Sequence, residues 1–403
     1  MSLYVGIDVG KFHHVACFLD DRENQLDELK FTQSYQGFSE LEKIIQKHAI
    51  PEDGQTLLGM EATGHYWFPL YEFLRNKGYQ VKVFNPLKVN RFRDFYIQPV
   101  KTDPKDAFII ANILRYGKVK PTSLAPAEVQ RLQRLVRYRR FFCDRLTQVK
   151  NKIRCILDEV FPEYQNSRIF SCLFGKASRA LLKIAPIPEK ILALPLEEWA
   201  VYLERHSRRL GWERAYEKAN LIYQAARLSI GSKTVAQPLK ECIKDLIFEL
   251  EHLEDRIHFF TEEIENTLSS TPGAILTTIP GVGVVTAAEI ISGIGNINQF
   301  KSADQLVCYC GLIPTSHSSG TFISTRNRMA KRGQTSLAHM FYQIALTSLT
   351  CNPALREYYL KKLSEGKPKK VAVIAVARKL VRIVYSMLKS NRAYDDAFNS
   401  KSS

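Results

Sequence analysis

The amino-acid sequence predicts an α/β domain followed by a longer, mainly helical region. Short apolar runs bounded by turn residues alternate with helix-like patterns from residue 3 to residue 85, which is typical of one sheet-containing domain. From about Ala125 the apolar residues change to three-four spacing, the period of a helix. With 45% apolar residues, 22 Phe and 18 Tyr among 403 residues, the chain can bury the cores of two or three domains.

The first domain, residues 1–122, is predicted to open with three strands at hairpin-like spacing and to continue with alternating helices and strands. The predicted elements are, in order, strands Leu3–Val9, His14–Leu19 and Glu28–Thr32, a helix over Phe38–Lys47, a strand ending at Glu61, a helix over Tyr66–Lys77 and a strand over Gln80–Phe84. A last helix runs from Asp103-Pro104, where proline suits the helix start, to about Tyr116. This order indicates a mixed sheet with helices on its faces.

Residues 123–270 are predicted to form two long, coiled-coil-like helices, with apolar seams over 130–161 and 238–268. The first seam is flanked by basic residues and the second by acidic ones, so the helices suit pairing with each other or with another protomer's copy. The segment between them, 162–235, is predicted to be a helical insert, and its sequence indicates no chemistry. Residues 271–403 are predicted to form a mainly helical C-terminal domain.

The charge balance predicts a polyanionic partner. The chain holds 57 Lys and Arg against 41 Asp and Glu, a net charge of +16, which favours nucleic acid; a ribosome-associated or membrane-surface protein is the alternative. The eight cysteines are scattered, and Cys308 and Cys310 have the wrong spacing for a zinc knuckle, so they are interpreted as buried or incidental thiols in a reducing compartment. We expect a cytoplasmic protein, because no signal segment precedes the first strand and charges interrupt the apolar stretch 371–384.

Four carboxylates stand where a metal-dependent nuclease would need them. Asp8 and Glu61 end two apolar runs, and Asp103 and Asp106 share one face of a predicted helix. Taken singly, Asp8 can favour a turn, Asp103 can cap a helix and Asp106 can suit a helix N-terminus, whereas Glu61 at a strand end needs a partner. Together they predict a ribonuclease-H-like fold with two metal ions at its active site.

A second fold shares the opening Gly-Ile-Asp8-Val-Gly, that of the sugar-kinase and actin-like ATPases. Those proteins need a second glycine-rich phosphate loop and a glycine motif at the adenosine site. The sequence shows neither, and its positive charge does not suit a small-metabolite kinase.

Two further motifs lie in the C-terminal domain. Ile279-Pro-Gly281-Val-Gly283 has the form of a helix-hairpin-helix, whose glycines would expose backbone N–H groups to a nucleic-acid phosphate; a simple packing turn is the alternative. Ser316-His317-Ser318-Ser319-Gly320 offers hydroxyl nucleophiles, although a plain polar loop is the default reading and His317 has no deducible acid partner. Basic residues that could contact nucleic acid follow, namely Arg326, Arg328, Lys331 and Arg332.

Five motifs in this order resemble the insertion-sequence 110 family of transposases, relatives of the Piv DNA invertases. The motifs are Tyr4-Val-Gly-Ile-Asp8-Val-Gly-Lys11, Met60-Glu61-Ala-Thr-Gly64, Lys101-Thr-Asp103-Pro-Lys-Asp106-Ala, Ile279-Pro-Gly281-Val-Gly283 and Gly311-Leu-Ile-Pro followed by Ser319-Gly320. The resemblance covers roughly residues 3–160 and 236–390, so the helical insert lies outside it.

The resemblance implies a site-specific DNA recombinase. It implies an N-terminal Asp-Glu-Asp-Asp domain of RuvC-like, Holliday-junction-resolvase type, joined through a coiled coil to a transposase domain that supplies a serine. Carried over by motif, the Mg²⁺ ligands (two ions) would be Asp8, Glu61, Asp103 and Asp106, and Ser319 would be the nucleophile, with Ser316 and Ser318 as neighbours that leave the register open.

The family's partners are implied in the same way. They are donor and target DNA, a structured non-coding RNA that pairs with both, and further copies of the chain in a dimer or tetramer. Two alternatives stay open at this stage: a hydrolytic RuvC-like junction nuclease that uses only the carboxylates, and a non-enzymatic nucleic-acid-binding protein.

Overall fold

A computed structural model describes residues 2–49, 54–93, 102–166, 168–207, 211–313, 318–319, 322–323 and 334–395. The chain divides into two compact units, residues 1–124 and residues 125–403. The mixed α/β sheet expected near the N-terminus and the mainly helical remainder are both confirmed. Within the described ranges, no helix is long and apolar enough to cross a bilayer.

The first unit is built on a five-stranded sheet. Its elements are, in chain order, β1 (Leu3–Val9), β2 (His13–Leu19), β3 (Gln25–Thr32), α1 (Tyr35–His48), β4 (Thr56–Glu61), α2 (Trp67–Asn76), β5 (Gln80–Phe84), α3 (Pro86–Arg93) and α4 (Asp103–Tyr116). The strand order is β3-β2-β1-β4-β5, with β1, β2 and β3 antiparallel and β1, β4 and β5 parallel. The sequence predicted every one of these elements except α3.

The two faces of this sheet are covered differently. Val5, Ile7 and Val9 of β1 point into a core shared with α1 and α2. The alternate residue Gly6 faces α4, and a Cβ at Gly6 would overlap the backbone of Ala107 and Ala111. Glycine is therefore required at this position, because α4 lies directly on the backbone of β1.

The second unit is helical apart from one short hairpin in the described residues. Its elements are α5 (Ala127–Val160), α6 (Lys176–Ile184), α7 (Pro188–Leu192), α8 (Leu196–Arg205), α9 (Trp212–Arg227), α10 (Ala236–Ser269), α11 (Val284–Ile294), α12 (Ala303–Tyr309), β6 (Ser318–Ser319), β7 (Phe322–Ile323), α13 (Thr335–Cys351), α14 (Pro353–Ser364) and α15 (Lys369–Ser390). Short 3₁₀ helices span Pro162–Gln165, Pro272–Thr278 and Ile297–Gln299.

Helices α5 and α10 have 34 residues each and pack antiparallel along their length. The basic side of α5 meets the acidic side of α10: Arg145 pairs with Glu249 at 3.0 Å, and Arg139 donates to the Thr261 hydroxyl at 2.9 Å. The opposite charges allowed these helices to pair with each other or with another protomer's copy, and here they pair with each other within one chain. At 1.5 Å per residue each helix is about 50 Å long.

The antiparallel pair connects two separate cores. At one end, the start of α5 and the end of α10 pack with α11 to α15. At the other end, the end of α5 and the start of α10 pack with the insert helices α6 to α9. Between the cores the apolar side chains are less covered, and Tyr138 and Phe141 are 57% and 61% exposed.

Candidate functional site

Two of the four carboxylates lie side by side at one edge of the sheet. Strands β1 and β4 are parallel neighbours with Ile7 opposite Met60, so Asp8 and Glu61 are the next residues in register. Side chains alternate along a strand. Asp8 therefore shares the face of Gly6, which is the face that α4 covers. Glu61 accepts a hydrogen bond from the Thr63 hydroxyl at 3.2 Å.

The other two carboxylates lie on the first turn of α4, on the same face of the sheet. Asp103 is exposed and is the first helical residue, while the N-cap is Thr102, one residue earlier than the cap considered from the sequence. Asp106 is buried, and its N–H donates to the Thr102 carbonyl at 3.0 Å. Carboxylates on the first turn are stabilised by the helix dipole whether or not a metal binds them.

Asp106 has a cationic partner that the sequence did not indicate. Nη2 of Arg93, the last residue of α3, lies 2.6 Å from Oδ1 of Asp106, and the side chains are 19% and 4% exposed. Arg93 also donates through Nη1 to Asn90 Oδ1 at 3.0 Å. Because the sequence pattern of α3 has no apolar stripe, neither the helix nor its arginine was predicted.

The donor chemistry of the four carboxylates suits a hard divalent ion, which prefers oxygen ligands. Their arrangement suits it less well, because in the described part of the chain no three Asp, Glu, His or Cys residues are grouped so that they could hold a metal. The Asp106 oxygen that faces Arg93 already contacts a positive charge. The assignment of Asp8, Glu61, Asp103 and Asp106 as Mg²⁺ ligands therefore stays a prediction.

The glycine motif of the second unit forms a turn between two helical segments. The 3₁₀ helix Pro272–Thr278 precedes it, and α11 starts at Val284 with Gly283 as its N-cap. Gly281 has φ of +91°, and a Cβ there would lie 2.7 Å from Cys351 Sγ, whereas Gly283 faces open space. The turn can thus present backbone N–H groups at the start of α11 to an anion.

The serine of the predicted nucleophilic loop lies on a short strand. Ser318 and Ser319 form β6, and Ser319 is opposite Phe322 of β7 in an antiparallel pair. The remaining predicted positions of this region lie outside the described residues, namely Ser316, His317, Arg326, Arg328, Lys331 and Arg332. Their roles stay predictions.

Comparison with known proteins identifies the family. A model of the DEDD transposases of IS110, described as "Transposase", matches residues 5–162, and a second model, "Transposase IS116/IS110/IS902 family", matches residues 273–360. The chain belongs to the IS110 family of transposases. It is therefore a DNA transposase or recombinase, and the resemblance drawn from the sequence motifs is confirmed.

Individual relatives match this IS110 family transposase along nearly its whole length. The pilin gene-inverting protein of Moraxella bovis is 28% identical over 97% of both chains. The insertion element IS116 uncharacterized 44.8 kDa protein of Streptomyces clavuligerus is 26% identical, over 98% of this chain and 96% of that one. The mini-circle putative transposase for IS117 of Streptomyces coelicolor is 24% identical with the same coverage. The match therefore extends through the helical insert.

Proposed function

We propose that this transposase cuts and rejoins DNA through a covalent phosphoserine formed at Ser319, assisted by the carboxylates of the first unit. The observation that carries the proposal is the pair of family matches. The first matched range contains Asp8, Glu61, Asp103 and Asp106, and the second contains Ser319. A chain with a carboxylate site alone would need only the first range.

The proposed chemistry conserves bond energy. The Ser319 oxygen attacks a backbone phosphorus, a P–O bond to one deoxyribose breaks, and the leaving oxygen takes up a proton as the serine loses one. In the return step a DNA hydroxyl attacks the phosphoserine, a new P–O bond forms, and the serine regains its proton. No nucleotide triphosphate is consumed, which suits strand exchange.

The first unit is proposed to be an RNase H-like domain of RuvC type. The mixed five-stranded sheet, the adjacent strand-end carboxylates Asp8 and Glu61, and the carboxylate-bearing helix α4 on the same face support this assignment. Bound Mg²⁺, as two ions, would supply Lewis-acid activation of the attacking and leaving oxygens. Release of Asp106 from Arg93, or a shared contact, would have to accompany metal binding.

Recognition of nucleic acid is proposed to be divided between protein and RNA. The turn at Gly281 and Gly283 and the basic residues that follow the serine loop would contact the backbone without reading sequence. A structured non-coding RNA, as the family resemblance implies, would supply sequence choice by base pairing. Association of copies as a dimer or tetramer through the α5–α10 pair belongs to the same proposal.

The test is to search for a protein–DNA adduct that survives denaturation. Full-length protein is incubated with Mg²⁺, element-end DNA and RNA transcribed from that end, and the adduct is resolved on a denaturing gel. We expect an adduct with the wild type and none with Ser319→Ala or Asp8→Asn. Ser316→Ala and Ser318→Ala are the matched controls, and both should keep it.

Other outcomes separate the alternatives. Cleavage that survives Ser319→Ala but not Asp8→Asn would identify a hydrolytic junction nuclease. Unchanged behaviour of Asp8→Asn in every assay would point to an architectural binding protein. An adduct lost with Ser318→Ala and kept with Ser319→Ala would move the nucleophile by one residue, and an adduct formed equally well without RNA would contradict guidance.

A further inference from the structure

A cleft in the second unit lies between the first half of α5, the second half of α11 and the first two turns of α13. It has a volume of about 160 Å³ and its walls combine arginine, glutamine and serine side chains with a single carboxylate, Glu289. None of its wall residues belongs to the predicted carboxylate site, to the glycine turn or to the serine loop. The cleft therefore needs an explanation of its own.

Three contacts fix the walls of the cleft. Gln133 of α5 donates through Nε2 to the Ser292 carbonyl at 2.8 Å, which joins α5 to the end of α11. The Tyr309 hydroxyl donates to the Gly293 carbonyl at 3.3 Å. Gly293 also lets Leu337 of α13 approach, because a Cβ at Gly293 would lie 2.5 Å from a Leu337 methyl group. The floor carbonyl groups are thus already occupied by donors.

The polar groups left facing the cleft are mostly donors. Arg137 and Arg140 are three residues apart on one face of α5, both are exposed, and neither makes an ion pair or hydrogen bond with a described residue. The side chain of Gln334, the N-cap of α13, accepts no hydrogen bond from the first-turn N–H groups, so in the described part of the chain these groups have no side-chain cap. Ser292 also lines the cleft, and its buried hydroxyl has no hydrogen-bond partner among the described residues.

We propose that this cleft holds one phosphodiester group of a nucleic-acid backbone. Two guanidinium groups, uncapped helix N–H groups and a hydroxyl are the donors that bind phosphate oxygens in proteins, and arginine suits them bidentately. The inference rests on the proposed function only in taking nucleic acid as the partner. In sequence, the cleft residue Gln334 directly follows the segment that carries Ser319 and the basic residues.

Glu289 allows the direction of a charge effect on binding to be predicted. Its carboxylate would repel a phosphate in the cleft, so its presence sets the site's net charge at about +1 rather than +2, by Coulomb's law a weaker attraction. If the charged residues of the cleft had only a structural role, Glu289 would be expected to pair with Arg137 or Arg140. No such pair forms among the described residues.

The experiment measures binding separately from chemistry. Full-length protein carrying Ser319→Ala is titrated into a fluorescein-labelled DNA duplex and into an RNA duplex of the same sequence, at several salt concentrations. Arg137→Gln and Arg140→Gln should each weaken binding about tenfold and reduce the salt slope by about one. Arg131→Gln is the matched control, because Arg131 is an exposed arginine of α5 outside the cleft, and it should change binding by less than about twofold.

Three further variants test the cleft more closely. Glu289→Gln should strengthen binding about threefold, whereas Glu265→Gln, an exposed acid on α10, should not. Arg137→Lys keeps the charge and loses the planar fork, so it should fall between wild type and Arg137→Gln. A loss confined to the DNA probe or to the RNA probe supports the cleft and identifies which backbone it takes.

The inference is overturned if Arg137→Gln and Arg140→Gln bind like the parent protein, or if Arg131→Gln weakens binding as much as they do. The second outcome would mean that only the overall charge matters. If the arginine variants weaken binding while the protein with the wild-type Ser319 forms no DNA adduct, the proposed function is wrong and the phosphate site in the cleft is supported. If the wild-type protein forms the adduct while the arginine variants bind like the parent protein, the proposed function is supported and the phosphate site in the cleft is ruled out.

Discussion

The buried pair between Arg93 and Asp106 provides the sharpest test of the first unit. Replacing Arg93 with Gln leaves the Asp106 carboxylate, 4% exposed, without its cation at 2.6 Å. Removing one partner of a buried pair costs about 3–5 kcal/mol. Because Arg93 itself is 19% exposed, water can reach the vacated space. We therefore expect the lower end, about 3 kcal/mol.

The assay is chemical unfolding of full-length protein in the presence of EDTA, followed through the transition of the first unit. Arg91→Gln is the matched control, since Arg91 is an exposed arginine on the same helix and has no ion pair among the described residues. It should cost no more than about 0.5 kcal/mol. Arg93→Lys keeps the charge but loses the bridge to Asn90, so it should cost about 1 kcal/mol.

Divalent metal adds a second measurement to this prediction. If Asp106 is a metal ligand, Mg²⁺ can replace the missing guanidinium, and the cost of Arg93→Gln should shrink as Mg²⁺ is added. Equal stability of Arg93→Gln and Arg91→Gln in EDTA would mean that the Arg93–Asp106 pair does not stabilise the first unit. A cost of about 3 kcal/mol that Mg²⁺ leaves unchanged would keep the pair and contradict Asp106 as a ligand.

Three further predictions concern buried positions. Gly6→Ala should destabilise the first unit by about 3 kcal/mol or more, because the added Cβ overlaps the backbone of α4. Gly211→Ala has open space around it and changes only the N-cap of α9, so its urea midpoint should indicate a cost of no more than about 1 kcal/mol. Burial lowers the pKa of His14, so the unfolded chain gains a proton near pH 6.5 that the folded chain does not. Stability should thus fall as pH drops below about 6.5, and melting temperatures of His14→Gln should lose that dependence. Burial raises the pKa of Cys17 and of Cys310 to about 12, so mass spectrometry after brief iodoacetamide treatment of native protein should find both unmodified while exposed cysteines react.

Local sequence periodicity was sufficient to predict most helices and strands of the first unit. The bounds of β1 and β5 follow directly from apolar runs that stop at turn residues, and α4 ends at Tyr116 before a glycine in the left-handed region. Helix α3 was missed because its eight residues include one buried side chain, Val89, and no repeating apolar face. Short basic helices of this kind are held by contacts that a sequence period does not contain.

The predicted site was recoverable only in part, for a similar reason. Asp8 and Glu61 could be expected together because the ends of neighbouring parallel strands meet at one edge. The pairing of Arg93 with Asp106 joins two helices through side chains alone, and no spacing rule indicates it. The partner of α5 was equally open from sequence, since its basic side could satisfy an acidic helix of either the same or another chain.

The two ends of the helical insert are fastened to each other. Ser232 donates its N–H to the Glu159 carbonyl at 2.9 Å, and Glu163 accepts from the Ser229 hydroxyl at 2.6 Å and from the Ile230 N–H at 3.0 Å. The chain thus leaves α5 for the insert, and returns from it toward α10, at the same place. A change of length or packing within the insert therefore need not alter the path of the chain through α5 and α10. The four-helix core of the insert can thus unfold or move as one body while α5 and α10 stay paired.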